Sequence, residues 1–371
     1  MKIPLLDVSR QYRGLAPALR RAAIRVLDSG RYILGEEGRL FEQEFAKASR
    51  LRHVIGLSSG TAALEIGLKA LGLGPGDEVI VPAFTFIATA SAVSAVGATP
   101  VLADVDPDAL TLGPAQIEAA LTPKTKALIP VHLYGRPAPM EPIMALARRR
   151  GLKVLEDCAQ SHLSLHCGKP IGSFGHAAAF SFYPSKNLGA LGDAGAIATQ
   201  DETVARACLE LRNAGRPPVG ASYRHVRLGY NGRLDELQAA LLRVKLGRLS
   251  QWTQRRRELA GLYNEKLAEL PLRLPESGAA GDRHSFHLYV IRTARRDELA
   301  RFLAGQGIGT GVYYPIPVHL QPAYRGLKHK TGDFPVSEEA SRTVLALPLF
   351  PELSRDAVLR VCREIRRFFR R

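Results

Sequence analysis

The sequence predicts an α/β protein: a mostly parallel sheet covered by helices on both faces, plus a smaller C-terminal α+β domain. Two patterns lead to this fold class. Short, nearly continuous apolar runs alternate with helical segments from residue 78 to residue 183, and strands buried on both faces have that composition. After Pro271 the composition turns to shorter strands such as Phe286–Ile291 and to amphipathic helices. The expected division is 1–249 and 250–371, and 371 residues are enough for two cores.

Taken in order, the chain opens on an arginine-rich segment whose start, Met1-Lys-Ile-Pro-Leu-Leu-Asp7, is too soon charged for a signal peptide. Ser58-Ser-Gly-Thr-Ala-Ala-Leu64 begins a helix that runs to Leu71. Small residues and a hydroxyl at a helix start suit either an N-cap or a seat for a phosphate on free N–H groups. Gly74–Asp77 is a turn, and strands are expected at Glu78–Pro82, Thr99–Asp104, Ala127–His132, Lys153–Asp157 and Ala177–Tyr183. A long helix begins at Leu234, with apolar residues at Leu237, Leu241, Val244 and Leu249. Past Trp252 it is polar enough to bridge two domains.

Composition excludes several classes. From Val79 to Ala103 no residue is charged, long enough to cross a bilayer. Pro82, Gly97, Pro100 and five hydroxyls fit a strand, loop, helix and second strand instead. The formal charge of +16 would suit a nucleic acid. Yet the arginines are dispersed, and the densest runs, among them Arg255–Arg257, look like helix faces or the tail, with no nucleic-acid-binding motif beside them. Cys158, Cys167, Cys208 and Cys362 show no CxxC pair and no zinc spacing, so a reduced cytoplasmic chain without a metal is expected.

The chemistry centres on Phe180-Ser-Phe-Tyr-Pro-Ser-Lys-Asn-Leu-Gly189. Pro184 ends an apolar strand, and Lys186 follows on a loop with no other charge between Ala177 and Asp193. A desolvated lysine has a lowered pKa, and its neutral amine can attack a carbonyl to form a Schiff base. Asp157 ends another strand, where open α/β sheets bind ligands. It reads either as the cap of a following helix or as a carboxylate that keeps a pyridinium nitrogen protonated, as pyridoxal phosphate (PLP) chemistry needs.

Ser59-Gly-Thr-Ala-Ala-Leu64, Val81-Pro-Ala-Phe-Thr-Phe-Ile-Ala-Thr89, Glu156-Asp-Cys-Ala-Gln160, Phe180–Asn187 and Tyr230-Asn-Gly-Arg-Leu234 together resemble the DegT/DnrJ/EryC1/StrS family of fold-type I, PLP-dependent nucleotide-sugar aminotransferases. The resemblance runs from Ile3 to Pro348. It implies that Lys186 carries the cofactor, that Asp157 partners the ring nitrogen, and that Gln160 lies near the ring's phenolic oxygen. Phe86 would stack on the ring; Gly60, Thr61, Ala62 and Ser181 would hold the phosphate. Asn231 would come from the neighbouring subunit of a homodimer, with Arg233 reaching the substrate's anionic part from the same neighbour. Tyr313, Tyr314 or His319, in the proline-rich stretch Tyr313–Tyr324, would touch a sugar.

The implied reaction moves an amino group from an amino acid, glutamate by family expectation, to a nucleotide-linked keto-sugar. Departures from the family pattern, at His162–His166, His176, Ala194 and Ala214, remove no cofactor contact. A sugar dehydratase of the same fold carries a histidine in place of the lysine, which Lys186 opposes. A non-catalytic regulator is opposed by the retained Asp157, Gln160, Ser181 and Asn231.

Overall fold

A computed structural model gives the fold; it describes residues 2–218, 223–276, 278 and 281–370. The strands are β1 (His53–Leu57), β2 (Glu78–Pro82), β3 (Thr99–Ala103), β4 (Thr125–Leu128), β5 (Lys153–Asp157), β6 (Leu165–His166), β7 (Lys169–Pro170), β8 (Ala177–Ser181), β9 (Gly195–Thr199), β10 (Tyr289–Arg292) and β11 (Val344–Leu347). Seven of them form one sheet in the order β1-β9-β8-β5-β4-β2-β3. Only β9 runs against the rest, being antiparallel to both β1 and β8.

Alternation along each strand makes the two buried faces. In β8, Ala178 and Phe180 join one apolar core with Phe41 and Phe45, while Ala177 and Ala179 join another with Leu64 and Ile66. Val154 and Leu155 of β5 divide in the same way. Helices therefore cover both sides, and the strands are apolar almost throughout. Beside Asp157, Glu156 is fully buried and accepts the N–H groups of Gly172, Phe174 and Gly175 at 2.7–2.9 Å. One carboxylate of the pair is thus a structural anchor.

The charge-free stretch 79–103 folds as β2, a loop, the helix Ala88–Ala95 and β3. No helix among the described residues is long and apolar enough to cross a membrane. The strand expected over 127–132 ends early, because Pro130 has no N–H for the ladder. The helix expected from Leu234 starts at Glu236 and continues for 32 residues to Leu267, about 48 Å at 1.5 Å per residue. It carries the chain into a third core that contains Tyr263, Tyr289, Leu347 and Phe350, and also Ile3 from the N-terminal segment. Arg256 departs from the solvated face expected of it. The helical period turns it inward, to 3% exposure, where it donates to the carbonyls of Phe286, His287 and Leu349.

Candidate active site

A cavity of about 470 Å³ opens beyond the carboxyl ends of β5 and β8. Its lining brings together Gly60, Thr61, Phe86, Asp157, Gln160, Ser181, Lys186, Tyr313 and Tyr314.

The helix Gly60–Ala70 points its first turn at this cavity. Ser59 caps it by accepting the Ala62 N–H at 3.1 Å, so of the three expected seat residues only Gly60 and Thr61 keep free N–H groups among the described residues. A side chain cannot be added at Gly60, where a Cβ would lie 2.6 Å from Ser181 Cβ. At Gly195 on β9 a Cβ would lie 2.3 Å from the Ser59 carbonyl carbon. Both glycines let backbone come close around one corner of the cavity, where orphan amides, the helix dipole and the Ser181 hydroxyl suit an anion.

Asp157 is 6% exposed. Its Oδ2 accepts from Thr89 Oγ1 at 2.9 Å and its Oδ1 from the Ala159 N–H at 3.1 Å. Thr85 Oγ1 lies 3.0 Å from Thr89 Oγ1 and extends the chain of hydroxyls. Burial pushes the Asp157 carboxyl up, against the Ala159 N–H, the Thr89 hydroxyl and the charge of Lys186. Lys186 is pulled down to about 8 by burial, and Asp157 acts in the opposite sense. Among the described residues its ammonium has no ion-pair partner in contact, so it remains free to move.

Gln160 is fixed at both ends. Its Oε1 accepts the Tyr134 N–H at 2.6 Å and its Nε2 donates to Tyr314 Oη at 3.0 Å. Tyr314 in turn lies against Phe86, ring centroids 5.8 Å apart. Phe86 itself is 54% exposed, with a face open to the cavity.

Four expected contacts lie outside the cavity of their own chain: Ala62, whose N–H is taken by Ser59, and Asn231, Arg233 and His319. Asn231 is exposed and accepts from Arg233, which also donates to Asn213 Oδ1 at 3.1 Å. His319 does not reach the cavity: it is 2% exposed, and its Nε2 lies 3.1 Å from Glu338 Oε1 beside the Phe334 ring. The turn Val318–Leu320 is tied down by the Val318 N–H to Ala83 O bond, which directs the histidine inward. Other lining residues had no signal of their own. Leu5, Leu6, His287 and Leu288 come from distant segments that only the fold unites; Thr89, buried behind Asp157, was counted only as one hydroxyl of the charge-free stretch.

A sequence model of the DegT/DnrJ/EryC1/StrS aminotransferase family matches residues 16–366. The chain belongs to that family and is an aminotransferase. It is 47% identical over 371 residues to the dTDP-3-amino-3,4,6-trideoxy-alpha-D-glucose transaminase of Streptomyces venezuelae, covering 100% of this chain and 97% of that one. It is also 47% identical over 372 residues to a pleiotropic regulatory protein of Geobacillus stearothermophilus, covering 100% and 99%. The crystal structure of S. venezuelae DesV in complex with a ketimine intermediate matches with a TM-score of 0.96 at 47% identity, over 100% of this chain and 99% of that one. Further solved relatives are in PMP-bound and PLP forms, so the cofactor belongs to the family.

Proposed function

We propose that the protein transfers an amino group from an amino acid, glutamate first among candidates, to a nucleotide-linked keto-sugar, using PLP held in this cavity. The observation that carries the proposal is the pairing of Lys186 with Asp157 across one cavity, with free amides at a helix start beside them. The residues suit PLP on chemical grounds. Gly60, Thr61 and Ser181 offer N–H and hydroxyl donors for a phosphate, and Asp157 offers a carboxylate already oriented by Thr89 and Ala159. Phe86 offers an aromatic face, and Gln160 an amide with one N–H beyond the Tyr314 bond.

Bound PLP would supply an electron sink for the substrate carbon. The protein's own groups do the rest. Asp157 would favour a proton on the ring nitrogen by its charge, which a neutral amide could not do. Lys186 Nζ, lowered to about 8, is a base near the working pH and can take a proton from the donor carbon and return it to the acceptor carbon. The apolar walls, including Leu5, Leu6, Leu288 and Leu349, keep water away during that exchange. Asn231 and Arg233 serve the neighbouring subunit's site in a homodimer, which accords with their position outside their own cavity.

The proposal is tested by incubating purified protein and glutamate with several nucleotide-linked keto-sugars and measuring amino-sugar and 2-oxoglutarate. Stoichiometric formation of both supports it; amino transfer only to unlinked sugars or to simple keto acids would overturn the substrate class. The regulatory relative named above leaves a second reading, a sensor with this fold. Turnover by the wild-type protein, abolished in Lys186→Ala, would exclude a purely non-catalytic role.

A further inference from the structure

Six histidines are buried among the described residues: His132, His162, His166, His284, His287 and His319. Four of the rings have a hydrogen-bond partner: Glu156 and the Ala138 N–H for His132, Asp282 for His166, the Phe286 N–H for His284, and Glu338 for His319. His162 and His287 have none among the described residues. His162 packs against the rings of Phe45, Phe180 and Phe182 and does not line the cavity. His287 is 7% exposed and does line it. Backbone bonds hold it there: its carbonyl accepts from Arg256 Nη1 at 3.2 Å, and the Leu288 N–H donates to the Tyr134 carbonyl at 3.4 Å.

We propose that His287 is a specificity residue for the sugar, its Nε2–H donating to a sugar oxygen from the small-domain wall of the cavity. The inference rests on the functional reading above and deepens it. Burial, with the charges of Lys186 and Arg256, keeps the imidazole neutral, so one nitrogen carries a proton and the other a lone pair. Nδ1 is shut away without a partner, and a buried N–H lacking an acceptor is the rarer defect. The proton therefore belongs on Nε2, the nitrogen left to the cavity. The wall decides which substrate it meets. Leu288 follows it in the chain, and Leu6, Leu347 and Leu349 line the same cavity from the core that contains Phe286. A carboxylate of the amino-acid donor set among leucines, with one neutral N–H, would lose its hydration without compensation. A pyranose offers apolar C–H faces to the leucines and an uncharged oxygen to the N–H, and a single bond offsets much of that oxygen's burial.

PLP-loaded wild type, His287→Phe and His287→Gln are mixed with L-glutamate, or with the nucleotide-linked amino-sugar that the wild type forms in the assay above. Either amine gives its nitrogen to the cofactor and leaves as the keto compound. The loss of PLP absorbance against concentration then gives an apparent dissociation constant and a limiting rate for each. His287→Phe keeps a flat ring without the N–H and should weaken the amino-sugar about 5–100-fold, as for a buried group left unpaired, while the glutamate constant shifts less than about twofold. His287→Gln places an amide N–H near the position of Nε2 and should recover most of the lost affinity. The glutamate reaction shows that each variant is folded and loaded; if His287→Phe is not, His287→Leu takes its place. Equal losses with both amines would overturn the proposal, and so would a loss as large in His287→Gln as in His287→Phe. Unchanged amino-sugar affinity in His287→Phe would mean that water alone meets Nε2, and would overturn it too. The functional reading survives all three results, and fails separately if the wild type aminates no nucleotide-linked sugar.

Discussion

Two lysines flank one loop. Lys186 stands at its front, facing Asp157 in the cavity; Lys245, on the long helix, stands behind and donates to the Gly189 carbonyl. Burial pulls both down to about 8. By that measure alone, either could be a nucleophile. Their surroundings separate them. The Lys186 ammonium is unpaired beside an open cavity and a carboxylate that can share its proton. Lys245 is 3% exposed, bound to backbone, with the Glu352 charge as its compensating partner. A perturbed lysine therefore marks chemistry only where space for a substrate and a second titratable group come with it.

The widest gap between the two should appear in chemistry. Borohydride should fix the cofactor covalently on Lys186 and not on Lys245, as peptide mapping would read. Lys186→Ala should lose amino transfer by about 10³-fold or more, since a positioned acid–base group alone contributes about 10²–10⁴. Attachment at Lys245 would reverse the comparison.

Next in size is the partner that distinguishes the front lysine. Asp157→Asn keeps the shape but not the charge, and should lower turnover by about 10²–10³-fold, the usual cost of one preorganised electrostatic group. Thr89→Val removes the hydroxyl that orients Asp157 at 2.9 Å and should cost about 10–100-fold, since bonds to charged groups contribute about 1.5–3 kcal/mol. Equal losses for both variants would mean that geometry, not charge, is what Asp157 supplies.

The front of the loop should also depend on a second chain. Lys186→Ala and Asn231→Ala proteins, each impaired, should regain about a quarter of wild-type activity when refolded together in equal amounts, because about half of the dimers are mixed and each of those assembles one intact site of two. Confirmed mixing without recovery would place both residues in one subunit's site.

How far the sequence revealed this arrangement differs from residue to residue. The strands at Glu78–Pro82 and Lys153–Asp157 could be read to the residue: the first is an apolar run closed by Glu78 and Pro82, and the second sets Val154 and Leu155 between Lys153 and the acidic pair Glu156-Asp157. Lys186, Asp157, Gln160 and Ser181 were legible because each sits at a strand end or the loop after it. His319 was misjudged: its neighbours have the composition of a loop at a cavity mouth, but composition does not say which way a ring turns. Lys245 and Arg256 were invisible as buried cations. On a long helix with many basic residues, only the packed C-terminal region decides which ones face inward.

The smallest change in activity, and the sharpest test of the comparison, belongs to Lys245→Met. Turnover should fall less than about tenfold, because the residue touches the loop's back and no reacting atom. Stability should report the difference instead. The folded Lys245 is at about 8, below the ordinary lysine value of 10.5, so between these pH values the unfolded chain binds more protons. Wild-type stability should therefore rise with pH across that window by about 3 kcal/mol from this group, taking about 1.4 kcal/mol per pKa unit. Below about 8 that gain is absent, because folding must bury the charge. Lys245→Met removes the term and leaves the Gly189 carbonyl without its donor at every pH, a loss of about 1–3 kcal/mol. Thermal unfolding of both proteins from pH 7.5 to 10.5 should show the wild type gaining on the variant as pH rises, with other lysines cancelling in the difference. A constant gap over that range would mean that Lys245 is not held near 8, and the resemblance between the two lysines would fail.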